Sequence, residues 1–348
     1  AFLLGWTFLL VISTGALATL AVAFTAYVDR LVPLSATAER LVPVGMIALL
    51  AAINIRGVRE SVAVGNVGTA IKAGAILIMS AAFLAAGDGF ASSSDRLWPQ
   101  HLSLGLLSGV GVAMIGVLWA YEGWQYVTFS AGETKDPARN FPLGIGIGTA
   151  LIVAIYLFAN IGYLAVLGPD GVASSQAVAA DAARRAFGAI AEKLIALAIT
   201  VSMFSAANAV VLTAPRIYYR MGRDGVFFRG LGEVSPRFRT PITAIGVSAV
   251  WAMILAATGT FEQLLTYVVF AGWIFYALGA ASVFVLRRRQ PDAPRPFRVP
   301  GYPVTPLLFV AASLAIVVNT LFAQPVQALL GLGIVLLGTP VYLIWRSR

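Results

Sequence analysis

The sequence predicts an all-α polytopic membrane protein with ten transmembrane helices. Of its 348 residues, 59% are hydrophobic and only 11% are charged, a composition typical of membrane proteins. The hydrophobic residues gather into stretches close to the roughly 20 residues that a helix needs to cross a bilayer. These stretches are apolar throughout, whereas the strands of a membrane barrel alternate between apolar and polar residues. We therefore expect helices rather than strands.

The predicted spans follow one another along the chain, and we interpret residues 1–348 as a single transmembrane domain. The second span is the weakest of the ten, because it is shorter than the roughly 17 residues needed to cross hydrocarbon. The spans are Phe2–Val28, Leu41–Ile55, Val62–Ala86, Leu104–Ala131, Leu143–Leu167, Leu194–Ala214, Ile242–Thr258, Leu264–Leu286, Val304–Phe322 and Val326–Trp345.

The distribution of basic residues indicates how the chain is oriented. With ten alternating spans, 17 of the 24 lysines and arginines face one side, six face the other, and Lys72 lies inside the third span. Cytoplasmic loops of membrane proteins carry an excess of Lys and Arg. We therefore place the arginine-rich side and both termini in the cytoplasm. The net charge of +9 then reflects topology, and no nucleic-acid partner is expected.

Residues for redox, metal or hydrolytic chemistry are scarce. The sequence has no cysteine, so it forms no disulfide and no thiolate metal site, and its single histidine, His101, has no cluster of ligands around it. It contains no HExxH or GxSxG motif and no paired intramembrane aspartates. We expect no metal, no cofactor and no enzymatic activity.

Two polar connections carry local structural signals. Before the fifth span, Asn140 is a good helix cap and Pro142 suits a first helical turn, which predicts that the helix begins there. On the outer side, residues 174–188 are rich in alanine with charges on one face. This pattern predicts a short helix lying at the membrane interface.

The fourth span contains the sequence WAYEGWQYVTF (119–129), in which Glu122 is the only charged residue of a long apolar run. A charge in hydrocarbon costs several kcal/mol, about 2.5–3.5 on insertion scales. Gly123 is a weak helix former among bulky rings, so we expect the helix to break here and free backbone groups for a charged substrate. The alternative is an unbroken helix whose Glu122 reaches the lipid headgroups.

Lys72 is the second intramembrane charge. It either extends to the cytoplasmic edge of the membrane or lies inside the helix bundle, where its amine exchanges protons or replaces a bound cation.

The sixth span has several polar residues in an otherwise apolar helix, among them Ser202, Ser205 and Asn208. Such residues usually bond their own backbone or a neighbouring helix. Ser205 and Asn208 are three residues apart and share one helix face, which also suits the wall of a cavity.

Together these segments resemble the amino acid–polyamine–organocation superfamily, and within it the L-type amino-acid transporters and their bacterial relatives. The resemblance covers nearly the whole chain. It rests on INIRGVRESVAVGNVGTAIKAGAILIM (53–79), WAYEGWQYVTFSAGETKDPARNFPLGI (119–145), RIYYRMGRDGVFFRGLGEVSPRFRTP (216–241), YVVFAGWIFYALG (267–279) and RPFRVPGYP (295–303).

The resemblance implies a fold of twelve helices, made of two inverted five-helix repeats and two further helices. The ten spans would correspond to helices three to twelve. The first span begins at Phe2 with no basic flank before it, which we interpret as a segment from within a longer protein. On this interpretation the family's first two helices, with their share of the substrate site, are absent from the sequence.

The resemblance also implies roles for individual residues. Trp119 falls at the position of an aromatic gate over the substrate. The segment Ala120, Tyr121, Glu122 and Gly123 falls on the unwound stretch whose carbonyls meet the substrate amine.

A second set of roles concerns coupling. Lys72 matches a fifth-helix lysine that occupies a sodium position in sodium-independent members, and Ser202 and Ser205 fall in the eighth-helix region that faces this lysine.

Two departures from the family pattern affect the expected function. Many members have a small residue where this chain has Glu122, so an added negative charge would favour a basic substrate or take part in proton coupling. The outer loop Asp29–Arg40 lacks the cysteine with which animal members bind a heavy chain. We therefore expect a single-subunit permease of prokaryotic type in the plasma membrane, with no heavy-chain partner.

We interpret the chain as a secondary amino-acid transporter working by alternating access in a lipid bilayer, either as an exchanger or coupled to protons. A polyamine or other organic-cation permease of the same superfamily is the nearest alternative. A channel and a membrane receptor or scaffold without a transport cycle are more distant ones.

Overall fold

The computed structural model of the chain describes residues 1–56, 61–87, 103–128, 135–295 and 297–346; His101 and the end of the fourth predicted span, residues 129–131, lie outside them. Every regular element within these ranges is helical. The α-helices are α1 Phe2–Thr7, α2 Ser13–Leu31, α3 Ala36–Arg56, α4 Ser61–Ala86, α5 Leu104–Ala120, α6 Trp124–Thr128, α7 Pro137–Ser174, α8 Val178–Phe187, α9 Ala189–Arg223, α10 Ile242–Thr258, α11 Phe261–Arg289, α12 Val304–Ala323 and α13 Pro325–Arg346.

Eight helical segments of the described chain are long and apolar enough to cross a membrane. Two shorter apolar helices, Lys72–Ala86 and Ile242–Thr258, accompany them. The protein is thus an all-α polytopic membrane protein, while the count of ten spans remains a prediction. The eight segments are Phe2–Leu31, Ala36–Arg56, Leu104–Tyr126, Pro137–Ser174, Ala189–Arg223, Phe261–Arg289, Val304–Ala323 and Pro325–Arg346.

The start of the fifth predicted span differs from the expectation. Its helix begins at Pro137, not at Asn140. A proline is well suited to this first position, because its missing N–H would have no helical partner there. Asn140 instead lies inside the first turn, where its amide donates to the carbonyl of Lys135 at 2.5 Å.

The most buried part of the molecule is the first transmembrane segment. Helix α2 packs against α3, α9, α10 and α11, and its Ala18 and Ala21 are fully buried. Small residues let membrane helices approach closely. Gly15 shows how close the approach is, since a Cβ at this position would lie 2.6 Å from the side chain of Val268 on α11.

A π-helical turn, Phe8–Ile12, joins α1 to α2 within this buried segment. In a π-turn the backbone N–H bonds the carbonyl five residues earlier, as that of Ser13 does with Phe8. Three carbonyls of the segment accept side-chain hydrogen bonds. Phe8 accepts from the Tyr218 hydroxyl at 3.1 Å, Leu9 from the Thr14 hydroxyl at 2.8 Å and Leu10 from the Trp251 indole at 2.7 Å.

The short helix predicted within residues 174–188 is present as α8, Val178–Phe187. Ion pairs connect it to the bundle: Arg30 at the end of α2 lies 3.0 Å from Asp181 of α8 and 3.2 Å from Glu192 of α9. Arg184 of α8 adds a 3.7 Å contact to Glu192. These charges hold α8 against α2 and α9 rather than leaving it on the membrane surface alone.

Of the elements that carry the predicted site residues, α4 and α5 lie outside this core, whereas α9, with Ser202 and Ser205, packs against α2. Helix α4 packs against α7, and α5 packs against α11 and α12. Ile115 is the only buried residue of α5. The fourth span is therefore anchored along one edge and exposed elsewhere.

Candidate functional site

The predicted helix break is present in the fourth span. Helix α5 ends at Ala120, residues 121–123 form a turn, and α6 begins at Trp124. Gly123 adopts φ +119°, a conformation that residues with a Cβ rarely reach. Position 123 thus requires glycine. The chain leaves helical geometry after Ala120 and returns to it at Trp124.

The break leaves backbone groups without the hydrogen bonds of a regular helix. One of these groups is hydrogen-bonded instead by a side chain from another helix. The carbonyl of Ala120 accepts a hydrogen bond from the hydroxyl of Tyr156 on α7 at 3.2 Å. The rings of Tyr121 and Tyr156 also pack, with centroids 5.1 Å apart. Tyr156 therefore positions the end of α5 at the break.

Glu122 lies in the turn itself and accepts two hydrogen bonds. Its Oε1 lies 2.5 Å from the hydroxyl of Tyr276 on α11 and 2.6 Å from Nε2 of Gln125 on α6. Hydrogen bonds to a carboxylate are short and strong, so these donors offset much of the cost of a charge in the membrane. Both reach the same oxygen, and within the described part of the chain Oε2 is left to accept a further donor.

Gln125 links the carboxylate to the backbone of the turn. Its Oε1 accepts from the N–H of Gly123 at 3.2 Å while its Nε2 donates to Glu122. The side chain is almost fully buried, at 5% exposure. Gln125 therefore fixes both the turn and the orientation of Glu122.

Aromatic rings enclose one side of this cluster. The ring of Tyr276 lies 5.3 Å from that of Trp124 and 6.0 Å from that of Trp273. A pocket lined in part by Leu4, Trp124, Gln125 and Tyr276 opens beside it. The arrangement places one carboxylate oxygen and the end of a helix next to an aromatic wall, which suits a ligand that has an amine and an apolar part.

Trp119, the expected gate residue, is partly buried in the last turn of α5, two residues before Tyr121. It packs against a cluster formed by Ile115 of α5 and Leu265 and Val269 of α11.

Lys72 contacts the helix that the sequence suggested. Its ammonium donates to the backbone carbonyl of Ser202 on α9 at 3.4 Å. The acceptor is the carbonyl, not the hydroxyl, of Ser202, and Ser205 is exposed. The described contacts do not join Lys72 to Glu122, so the candidate site has two separate parts.

Asn208, the other polar residue on the Ser205 face, bonds a neighbouring helix. Asn54 of α3 donates to its Oδ1 at 2.8 Å. Of the two roles expected for Asn208, bonding within the bundle and lining a cavity, this contact is the first.

Sequence reasoning missed three partners of the break: Gln125, Tyr156 and Tyr276. Gln125 stands inside the quoted WAYEGWQYVTF, where a buried amide three residues after an acid is a usable signal. Tyr156 and Tyr276 occur in long apolar runs, and nothing in their spacing relates them to Glu122. Across the ranges that the structure describes, no three His, Asp or Glu residues lie together as a metal site.

Comparison with known proteins gives the family. The Amino acid permease family model matches residues 1–344. The b(0,+)-type amino acid transporter 1 of Mus musculus is 30% identical over 334 residues, which cover 93% of this chain and 67% of that protein. The serine/threonine exchanger SteT of Bacillus subtilis (strain 168) is 29% identical, with 100% of this chain and 78% of the exchanger covered.

The large neutral amino acids transporter small subunit 2 of Homo sapiens is 30% identical, with 100% of this chain and 66% of that protein covered. The chain thus spans about two thirds of the length of the mammalian relatives and more of the bacterial one. These relatives are transporters rather than enzymes. The chain belongs to the amino acid permease family and is an integral protein of the plasma membrane.

Proposed function

We propose that the chain transports amino acids by alternating access, with the turn at residues 121–123 as part of the substrate site. The observation that carries this proposal is the broken helix, whose carboxylate has one oxygen already held by Tyr276 and Gln125. Discontinuous helices place backbone groups where transporters bind charged substrates.

The substrate amine is the group that this site suits best. The C-terminal end of α5 carries partial negative charge from its unpaired carbonyls, and the ionised carboxylate of Glu122 adds one unit of negative charge beside it. The carbonyl of Ala120 has a second lone pair besides the one used by Tyr156. An ammonium group would therefore find at least two acceptors of the right sign.

Glu122 admits two roles that remain distinct. As an ionised acceptor it binds an amine and favours basic substrates; as a proton carrier it couples uptake to pH. The two donors that already bond Oε1 support the first role, because an ionised carboxylate is the better acceptor for both.

Lys72 is the proposed coupling residue. Its ammonium at the carbonyl of Ser202 supplies the positive charge that a sodium ion would otherwise bring to α4 and α9. Ser202 and Ser205 would line this position in another state of the cycle. Uptake should then be independent of sodium.

The helix correspondence and the subunit composition are part of the same proposal. We assign the spans to helices three to twelve of two inverted five-helix repeats and two further helices. The greater length of the relatives supports this assignment, and so does the broken helix at the place of the sixth. The protein would act without a heavy chain.

Counterflow in proteoliposomes tests the function directly. Vesicles containing the complete protein are loaded with unlabelled serine or leucine, and uptake of the labelled amino acid is measured without sodium. Internal amino acid should accelerate uptake several-fold over empty vesicles. Uptake of putrescine but of no amino acid would favour the organic-cation alternative, and currents that scale with ion gradients would favour a channel.

The coupling role has its own test. Lys72→Ala should abolish or sharply reduce uptake, while Lys193→Ala, which removes an exposed lysine on α9, should leave it unchanged. A strict sodium requirement in the unaltered protein would contradict the role assigned to Lys72.

A further inference from the structure

A second cavity lies on the arginine-rich side of the chain, and none of the helix-break residues lines it. Arg287 from the end of α11 lines it together with Arg295 and Arg298 of the connection to α12. Three guanidinium groups therefore share one cavity. Asp292 is the only acid between residues 287 and 303, and it is not part of the lining.

Two of these guanidinium groups are held in place by their neighbours. Arg287 lies over the ring of Tyr302, 3.6 Å from its centroid, a cation–π contact that fixes its plane. Arg295 donates three hydrogen bonds to the carbonyls of Gln290, Pro291 and Ala293.

An arginine has five N–H groups, so these three bonds leave Arg295 at most two for another acceptor. A planar group fixed in this way loses little conformational entropy when it binds a phosphate.

An apolar groove adjoins the basic cavity. Phe141 and Ile145 in the first turns of α7 line it together with Phe297, and it shares Pro294 and Arg295 with the basic cavity. Phe297 is half exposed, at 50%. Positive and apolar surfaces thus meet at Arg295, beside the N-terminal end of α7.

We propose that this pair of cavities binds one anionic phospholipid from the cytoplasmic leaflet. The phosphate would bond Arg287, Arg295 and Arg298, and an acyl chain would lie in the groove beside Phe141 and Phe297. Basic pockets between helices on the cytoplasmic side are typical sites for anionic headgroups. A free phosphate would satisfy the arginines but leave the groove empty, so the two-part shape favours a lipid.

Spin-labelled lipids measure how strongly the protein prefers an anionic lipid over a neutral one. The complete protein is reconstituted in phosphatidylcholine, and its preference for labelled phosphatidylglycerol over labelled phosphatidylcholine is determined. The pair Arg287→Gln with Arg298→Gln should lower the preference about tenfold. The control pair Arg288→Gln with Arg289→Gln removes the same charge from the next two residues of the last turn of α11, which are outside the cavity lining, and should change it less than twofold.

The groove needs a separate variant. Phe297→Ser should weaken binding of phosphatidylglycerol several-fold, while Val304→Ser, which changes another exposed apolar residue on this side, should not. Equal losses in both arginine pairs would show a diffuse surface charge and overturn the site. Full displacement by inorganic phosphate with no effect of Phe297→Ser would assign the cavity to a free anion instead.

Discussion

The first and fourth spans each contain an irregular stretch of helix. The two stretches differ in how many of their polar oxygens receive a hydrogen bond. At the π-turn Phe8–Ile12, three successive carbonyls each receive a side-chain donor from within the core. At the turn 121–123, the carbonyl of Ala120 and one oxygen of Glu122 receive donors. The other oxygen of Glu122 is left open within the described chain.

The surroundings of the two departures explain this difference. The π-turn lies among fully buried residues such as Ile12 and Tyr218, where an unpaired polar group would find no water. The turn at 121–123 is partly exposed and stands beside a pocket. An irregular helix in a membrane protein is therefore not evidence of a binding site by itself. The break at 121–123 differs because Glu122 keeps an oxygen for a further donor and the neighbouring Trp124 and Gln125 line a pocket.

The largest expected effect is that of Glu122→Gln on transport. The substitution keeps an oxygen for Tyr276 and removes the charge, so folding should be retained while uptake of amino acids falls about 10- to 100-fold, the value of one charge-assisted hydrogen bond. Glu262→Gln, an exposed acid at the start of α11, is the control. Initial uptake rates across substrates and pH provide the measurement.

The pattern of that loss separates the two roles of Glu122. A selective loss of basic substrates indicates amine binding, and a flattened pH profile for neutral amino acids indicates proton coupling. If the variant matches the unaltered protein in range, rate and pH profile, Glu122 has no part in transport.

The next largest effect is expected at the π-turn Phe8–Ile12, where a substitution should change the stability of the protein. Tyr218→Phe removes the side-chain donor to the carbonyl of Phe8, which still accepts from the backbone N–H of Ser13, and it should lower the free energy of unfolding by about 1 kcal/mol. Transport per folded molecule should be unchanged. Thermal unfolding in detergent measures the difference, and Tyr219→Phe, which alters the neighbouring residue outside the buried set, should shift it little. A transport defect without a stability defect would place the π-turn in the transport cycle.

The sequence was sufficient for features that depend on neighbouring residues. Continuous apolar runs gave the helices, and an acid before a glycine among bulky rings located the break at residues 121–123. Both follow from local physics, because hydrocarbon excludes charge and glycine weakens a helix.

The partners of the break could not be obtained in this way. Tyr276 is 154 residues from Glu122, and Tyr156 is 36 residues from Ala120; only the packing of α7 and α11 brings them together. The π-turn was missed for the same reason, since its donors Tyr218 and Trp251 come from distant helices. The start of α7 was misplaced because two prolines competed for one helix end, and Pro137 fits it better than Pro142.

A smaller effect is expected for Tyr276→Phe. The substitution removes one of the two donors to Glu122 and leaves Gln125 in place, so uptake should fall about three- to tenfold, the value of one net hydrogen bond. Tyr267→Phe, on the same helix, provides the control. Combining Tyr276→Phe with Glu122→Gln should add little, because both remove the same interaction; fully additive losses would show that Tyr276 acts elsewhere.

The smallest effect is expected for Tyr156→Phe, which alters the turn at 121–123 in the way that Tyr218→Phe alters the π-turn. Its hydroxyl bonds the carbonyl of Ala120 at 3.2 Å, a partly exposed contact. Under the proposed function the turn opens onto the water-filled path of the substrate, where water would replace the lost donor. Uptake should therefore fall less than about threefold and the unfolding temperature should hardly change, in contrast to the buried Tyr218→Phe. A loss of stability equal to that of Tyr218→Phe would mean that the carbonyl of Ala120 depends on its protein donor as much as the π-turn does. The turn at 121–123 would then be a structural feature like the π-turn and not a binding site.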